Sequence, residues 1–409
     1  MNSYVLDPAG TDIQGEIRAL REHGPITPVE LPGGVSAWAV TDAALLKRLV
    51  TERNVSKDAS RHWGALAAGE VPDGWPLSPW VLSENMFTAY GTDHRRLRRL
   101  VAPTFTARRT TAMRPRIEEI TSATLDRVAE AGAAGPVDLR ETFAFPIPIE
   151  VISELIGVPE HLGPGLRRCA DLIFDTTITP DEMRANIMDM HRILGELIAH
   201  RREHPGDDIT SALIAARDDE ADAAPTGSGA LTEEELLYTV RLFINAGHET
   251  TVNLLDQTIF SLLTHPQILD RVLAGEISWE AVIEESLRHE APAASIPLRY
   301  AVTDLEAGGV TIKQGEAILA MFAAAGRDPQ VHDDPDTFDP ARAHTEHLAF
   351  GHGVHHCVGA PLARLEAAVA LPALFERFPG MKPAEPPETF GSVRGFVANG
   401  HARLPVHLA

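Results

Sequence analysis

The chain contains cysteine twice, and the two positions differ in kind. Cys357 lies in the segment FGHGVHHCVGAPLARLE, residues 350–366. Gly351 and Gly353 precede it and Gly359 follows. Glycine tolerates positive φ and close backbone approach, so these positions suit a tight loop wrapped around a sulfur. Pro361 fits the first turn of a helix. A helix starting just after Cys357 would aim its free N–H groups and dipole at the thiol, lowering its pKa and favouring the thiolate. A thiolate is what a soft metal ligand or a nucleophile requires. Cys169, inside GLRRCADLIF, instead has the pattern of a buried, inert helix residue. His352, His355 and His356 invite a zinc reading, but they form no C-x-x-C or H-x-x-x-H pair with the expected spacing.

A second constellation is Ala246-Gly247-His248-Glu249-Thr250-Thr251. A carboxylate next to a hydroxyl is a pair that can move protons. The same letters open a zincin motif, H-E-x-x-H, which fails at its last position, Val252. Glycine followed by a threonine pair is also a place where a helix can bend or admit a water.

Most of the chain has helical periodicity, through 94–130, 148–160, 165–175, 183–202, 231–264, 278–290 and 360–378. Thr232 and Glu235 form a capping-box pattern ahead of the longest run. About 34 residues at about 1.5 Å each predict a helix of roughly 50 Å, with the Glu249–Thr250 pair in its middle. Strand signals are fewer. ITPVEL and VSAWAV flank Pro32-Gly33-Gly34 as a hairpin. A second patch runs through 296–320 with Gly308-Gly309 as a turn, and a third lies near the C-terminus. Asp218–Ala230 is acidic and rich in Gly and Pro, and predicts a solvated loop. The expected architecture is mainly α with a small β region, in one domain over 1–409.

Phe350-x-x-Gly353-x-His355-x-Cys357-x-Gly359 resembles the haem-binding loop of the cytochromes P-450, the haem-thiolate monooxygenases. The resemblance extends over nearly the whole chain. It implies the single-domain cytochrome P-450 fold, haem b (iron protoporphyrin IX) as cofactor, and Cys357 as the axial thiolate that donates electron density to iron. It further implies that Glu249 and Thr250 are an acid–alcohol pair for proton delivery. His94, Arg98, Arg299 and His355 would meet the haem propionates, with Phe350, Gly351, Gly359 and Ala246 against the cofactor. Glu285, Arg288 and Arg342 match the family's structural Glu–Arg–Arg cluster. Activity would be insertion of one oxygen atom from O2 into an unactivated C–H bond.

Composition limits the partners. The chain has 409 residues, 36 Lys and Arg, 58 Asp and Glu, and a net charge of −22. So acidic a protein is a poor general binder of nucleic acid or anionic membrane. Its longest apolar stretch, 317–325, is about half of a membrane span. The first residues carry no secretory-signal pattern and cysteines are few, so a cytoplasmic location is expected. No phosphate-cradling glycine motif and no iron–sulfur cysteine set is present. Electrons would therefore come from separate ferredoxin and ferredoxin reductase chains. Eight arginines between His94 and Arg116, at 95, 96, 98, 99, 108, 109, 114 and 116, with no acidic residue among them, form the expected docking patch. Candidate substrate-facing segments, 75–90, 172–190, 293–298 and 395–399, are mostly apolar. They suit a bulky, weakly polar molecule. Only four of the 36 basic residues are lysine, a texture that resembles actinobacterial enzymes, and among those the chain is similar to a group that hydroxylates steroids and macrolactones. That likeness favours a steroid, then a macrolactone or other natural product. A peroxide-driven peroxygenase and a non-catalytic haem carrier are the rival readings.

Overall fold

The uninterrupted apolar run after Thr232 forms one helix, Glu233–Thr264, of 32 residues. The Thr232 hydroxyl accepts from the Glu235 N–H while the Glu235 carboxylate returns to the Thr232 N–H, so the expected capping box is present. Nearly all of its middle and C-terminal half is buried, including polar Thr251, Asn253, Asp256 and Thr258. A helix apolar on all sides belongs at the centre of a fold. The helices Pro146–Ile156, Trp279–His289 and Ala360–Arg377 pack against it, and the helices around it bury Leu254, Leu255, Ile259 and Leu262.

The coordinates are a computed structural model that describes residues 3–223 and 230–408. Architecture is mainly helical with a small β region, as the periodicity predicts. Ile26–Leu31 and Val35–Val40 pair antiparallel, from Ile26 opposite Val40 to Leu31 opposite Val35. They belong to a six-stranded sheet with Tyr4–Val5, Ala317–Ala320, Ile296–Ala301 and Val55–Ser56. Leu305–Ala307 and Val310–Ile312 form a hairpin turned by Gly308 and Gly309, which have φ of 56° and 85°. The C-terminal patch is a three-stranded sheet of Val137–Asp138, Lys382–Pro383 and Pro405–His407.

Two expectations change. The run 94–130 is not one helix but three, Gly91–Val101, Ala107–Ala112 and Arg114–Gly132. Pro103, without an N–H, falls in the 3-10 turn Ala102–Phe105 that ends the first. The loop expected over 218–230 begins later, because helix Ile209–Ala223 continues through its first residues. Residues 224–229 of that loop lie outside the described ones.

The Glu–Arg–Arg cluster is closed. Both Glu285 and Arg288 are fully buried, and their bidentate bonds are both 2.7 Å. Arg342 Nε reaches Glu285 Oε1 at 3.0 Å, and Arg288 also donates to the carbonyls of Gly326, Pro335 and Thr337. This fastens the helix Trp279–His289 to the segment leading into the cysteine loop. No described helix is long and apolar enough to cross a membrane.

Candidate active site

A cavity lies between the long helix and the cysteine loop. Cys357 stands on one side. Its N–H donates to the Phe350 carbonyl at 2.9 Å, closing the loop. Gly351 and Gly353 have φ of 70° and 71°, and a Cβ at Gly353 would meet Thr51 Cγ2 at 2.9 Å. Glycine is required there on both counts. Gly359 caps the helix Ala360–Arg377, with Pro361 in its first turn.

The N–H groups of Gly359 and Ala360 do lower the thiol pKa, as expected from the helix start, and Arg98 and Arg364 add to this. Burial is the larger effect and pushes the Cys357 thiol up. A bound metal would hold the sulfur as a thiolate. Arg364 stacks over the Phe350 ring at 4.5 Å and is held by Glu284 at 2.5 and 2.9 Å, which also binds His347 at 3.1 Å.

Ala246, Gly247, Thr250 and Thr251 line the opposite side of the cavity. The Thr250 hydroxyl donates back to the Ala246 carbonyl at 2.7 Å. Glu249 does not line it. Adjacent helix positions diverge by about 100°, so the two members of the acid–alcohol pair face different ways. Glu249 meets Arg140 Nη2 at 2.7 Å, and Arg140 Nη1 reaches Asn253 at 2.9 Å and Asp256 at 3.8 Å. Burial raises the Glu249 pKa against the pull of Arg140. Asp171, His248 and Glu249 bring ligand atoms within 4.8 Å of one another. Burial and the nearby Glu249 lift Asp171 to about 7, while burial and Arg140 press His248 down to about 3. Arg140 and Asp171 have no local motif and were not identifiable as site residues in the sequence. Only the fold brings them to Glu249.

A third group of side chains forms one wall. His94, Arg98, Arg299 and His355 all belong to it, the first by its ring, 4.2 Å from that of His355. Arg98 donates to the His356 carbonyl at 2.8 Å. Burial lowers His94 to about 4 and Arg299 to about 10, and drives His355 strongly down. Lys57, absent from the sequence expectations, joins them. His94 Nε2, Arg299 Nη1 and Lys57 Nζ are buried without a hydrogen-bond partner among the described residues. Orphaned donors beside the cavity, two of them on basic side chains, call for carboxylates. A haem, planar and bearing two propionates opposite a thiol, fits this donor set.

The remaining walls are apolar. Trp80, Met86, Phe87, Phe174, Ala293 and Ile296 contribute, drawn from three of the four segments expected to face substrate. The fourth, 395–399, is not at the cavity: Phe396 and Val397 are core, and Asn399 is bonded to Glu290 and Gln257. The arginine patch is also less bare than its sequence suggests. Arg96 pairs with Glu235, Arg114 with Glu118, and Arg116 with Glu119 and Glu154, from neighbouring turns and helices. Arg95, Arg99 and Arg108 have no ion-pair partner among the described residues.

A sequence model described as Cytochrome P450 matches residues 155–277 and 279–397. A 2-hydroxy-5-methyl-1-naphthoate 7-hydroxylase of Streptomyces carzinostaticus is 43% identical over 409 residues, covering 100% of this chain and 98% of its own. The solved structure of CYP154A1 from Streptomyces coelicolor A3(2) superposes with a TM-score of 0.93 at 52% identity, with 100% of both chains covered. A testosterone-bound CYP154C4 from Streptomyces sp. ATCC 11861 gives a TM-score of 0.95 at 42% identity, covering 100% of this chain and 99% of that one. With this likeness over its full length, a thiol loop and a donor wall that fit a haem, the chain belongs to the cytochrome P450 family and is a monooxygenase, an oxidoreductase that incorporates oxygen from O2.

Proposed function

We propose that this protein hydroxylates an unactivated C–H bond of a bulky, weakly polar molecule, a steroid-like one foremost. The observation that carries the reading is the cavity itself. Cys357 stands on one side, Thr250 on the other, and aromatic and aliphatic walls lie between. Family membership implies a haem-thiolate cofactor. Cys357 would hold the iron of haem b, with Phe350, Gly351, Gly359 and Ala246 against the ring and His94, Arg98, Arg299 and His355 at the propionates. Haem, when bound, supplies oxygen binding and transfer, and a thiolate ligand favours O–O cleavage.

The chain's own residues manage protons and water. The Thr250 hydroxyl, now resting on the Ala246 carbonyl, is the group from which a proton is handed into the cavity. Glu249 is its source, after release from Arg140. Asp171, open to solvent on one side and packed against Glu249 on the other, collects protons from solvent. The apolar walls exclude bulk water and orient a ring system over the reacting side.

The steroid preference is supported by the testosterone-bound neighbour. Macrolactones are the second reading, supported by a 6-deoxyerythronolide B hydroxylase of Saccharopolyspora erythraea at 36% identity over 393 residues. Bacterial members of the family draw electrons from partner proteins, and here a ferredoxin with its reductase fits the arginines left unpaired at 95, 99 and 108.

The decisive experiment follows the haem's low-to-high-spin absorbance change on adding testosterone or a macrolactone. Oxygen-dependent product is then measured with a ferredoxin system and with hydrogen peroxide alone. A spin shift with testosterone and product only with the ferredoxin system is the expected result. Product with peroxide alone at equal rate would replace the monooxygenase reading by the peroxygenase one.

A further inference from the structure

Ser56 pairs with Tyr300 in antiparallel register, so the following residue, Lys57, comes alongside Arg299 at the cavity wall. Lys57 is 3% exposed, and its ammonium makes no hydrogen bond to any described residue. The adjacent acid is engaged elsewhere. Asp58 accepts from the Ser60 hydroxyl at 2.7 Å and the Arg61 N–H at 3.1 Å, and pairs with the Arg61 side chain at 3.2 Å. Lys57 Nζ lies 3.6 Å from the centroid of the Phe87 ring, which covers the ammonium but accepts no conventional hydrogen bond. A buried ammonium in this position is costly unless an anion meets it. Burial, with Arg299 adding repulsion, holds the amine well below its usual pKa.

The charges on this wall do not balance against the cofactor alone. Haem brings two propionates, and Arg98 and Arg299 already supply two fixed positive charges. His94 and His355, kept neutral by burial, can donate without adding charge. Lys57 is then a third cation, and it touches Phe87, which meets Trp80 and through it Phe174 on the wall around the substrate space.

We propose that Lys57 is a carboxylate-binding residue of this cavity, its ammonium meeting either a haem propionate or the acid group of a substrate. This rests on the haem reading of the cavity and adds to it a fifth donor, outside the four implied by sequence resemblance.

Two measurements on the haem-loaded wild type and Lys57→Met separate the sources. One is the rate at which haem transfers to apomyoglobin. The other is the spin-state titration with 1-naphthoic acid and with its methyl ester. If the partner is a propionate, Lys57→Met loses haem at least about tenfold faster and the acid-to-ester preference is unmoved. If the partner is a substrate acid, haem loss is unmoved, and wild type prefers the acid by about tenfold or more. That preference vanishes in Lys57→Met and persists in Lys57→Arg. Lys57→Gln, which removes the charge but keeps a donor, serves where Lys57→Met does not yield holoprotein. Unchanged haem loss together with an acid preference that is absent or insensitive to the substitution overturns the proposal. A wild-type carbon-monoxide adduct without the thiolate signature would instead overturn the haem reading, independently of Lys57.

Discussion

At the scale of single residues, function divides between side chains that face the cavity and those behind them. Thr250 is in front and Glu249 behind, held by Arg140 at 2.7 Å. Removing the hydroxyl removes the last proton donor without touching the haem loop. Thr250→Ala should bind haem normally, while product formed per electron pair falls by at least about tenfold and hydrogen peroxide rises to match. Assay of peroxide against product checks this. Undiminished coupling would take Thr250 out of the mechanism. Asp171 leads to a pH prediction. It faces Glu249, His248, Glu141, Arg140 and Arg167, and burial followed by the charge of Glu249 sets its pKa at about 7. As a donor it is competent when protonated, so coupled turnover should decline as pH rises through about 7. Asp171→Asn should be slower and should lose that inflection; a profile identical to wild type would rule Asp171 out of the proton path.

At the scale of elements, the cysteine loop is held by its neighbours. Its own glycines permit the turn, but its position depends on Arg364 bound to Glu284 and on the buried Glu285–Arg288–Arg342 cluster behind it. Glu285 accepts from both arginines and from the Asp339 N–H at 2.8 Å. Glu285→Gln would leave two guanidinium groups short of a counter-charge in a dry interior. A cost of about 3–5 kcal/mol and poor haem incorporation are expected, measured by urea denaturation and by haem content. A loss below about 1 kcal/mol would show that the arginines' carbonyl contacts alone suffice. The long helix was legible because its signals are local: a cap, an unbroken apolar run, and a stop at His265-Pro266. The helices Ile13–His23 and Ala43–Thr51 were missed. They are short, and each is capped by an aspartate, Asp12 and Asp42, a signal present in the sequence but easily lost among turns.

At the scale of the whole molecule, a net charge of −22 makes any cationic area a directional feature. Of the eight arginines expected to form a docking patch, Arg96, Arg109, Arg114 and Arg116 are paired with carboxylates and Arg98 faces the cavity, leaving Arg95, Arg99 and Arg108 as its unpaired part. Charge-steered docking weakens with ionic strength. Turnover supported by ferredoxin should therefore fall severalfold between low and high salt. Arg95→Glu with Arg99→Glu should raise the ferredoxin concentration needed for half-maximal rate, with the substrate-induced spin shift unchanged. Turnover indifferent to both would place the docking surface elsewhere.

The sequence by itself determined the cysteine loop, the central helix with its acid and alcohol, the Glu–Arg–Arg triplet and the predominance of helix. The loop and the helix are written in residues close together in the chain, where glycine freedom, capping and periodicity act directly; the triplet, with Arg342 lying 57 residues from Glu285, was legible only through the family resemblance. Tertiary structure alone decided which groups share a cavity. Lys57 meets Arg299 through a strand pairing, Arg140 meets Glu249 across more than a hundred residues, and Asp171 arrives from another helix. Such contacts depend on how helices and strands pack, and the pKa values of the site follow from the burial that packing creates. No local pattern encodes either, because desolvation and the approach of distant charges exist only once the chain has closed around them.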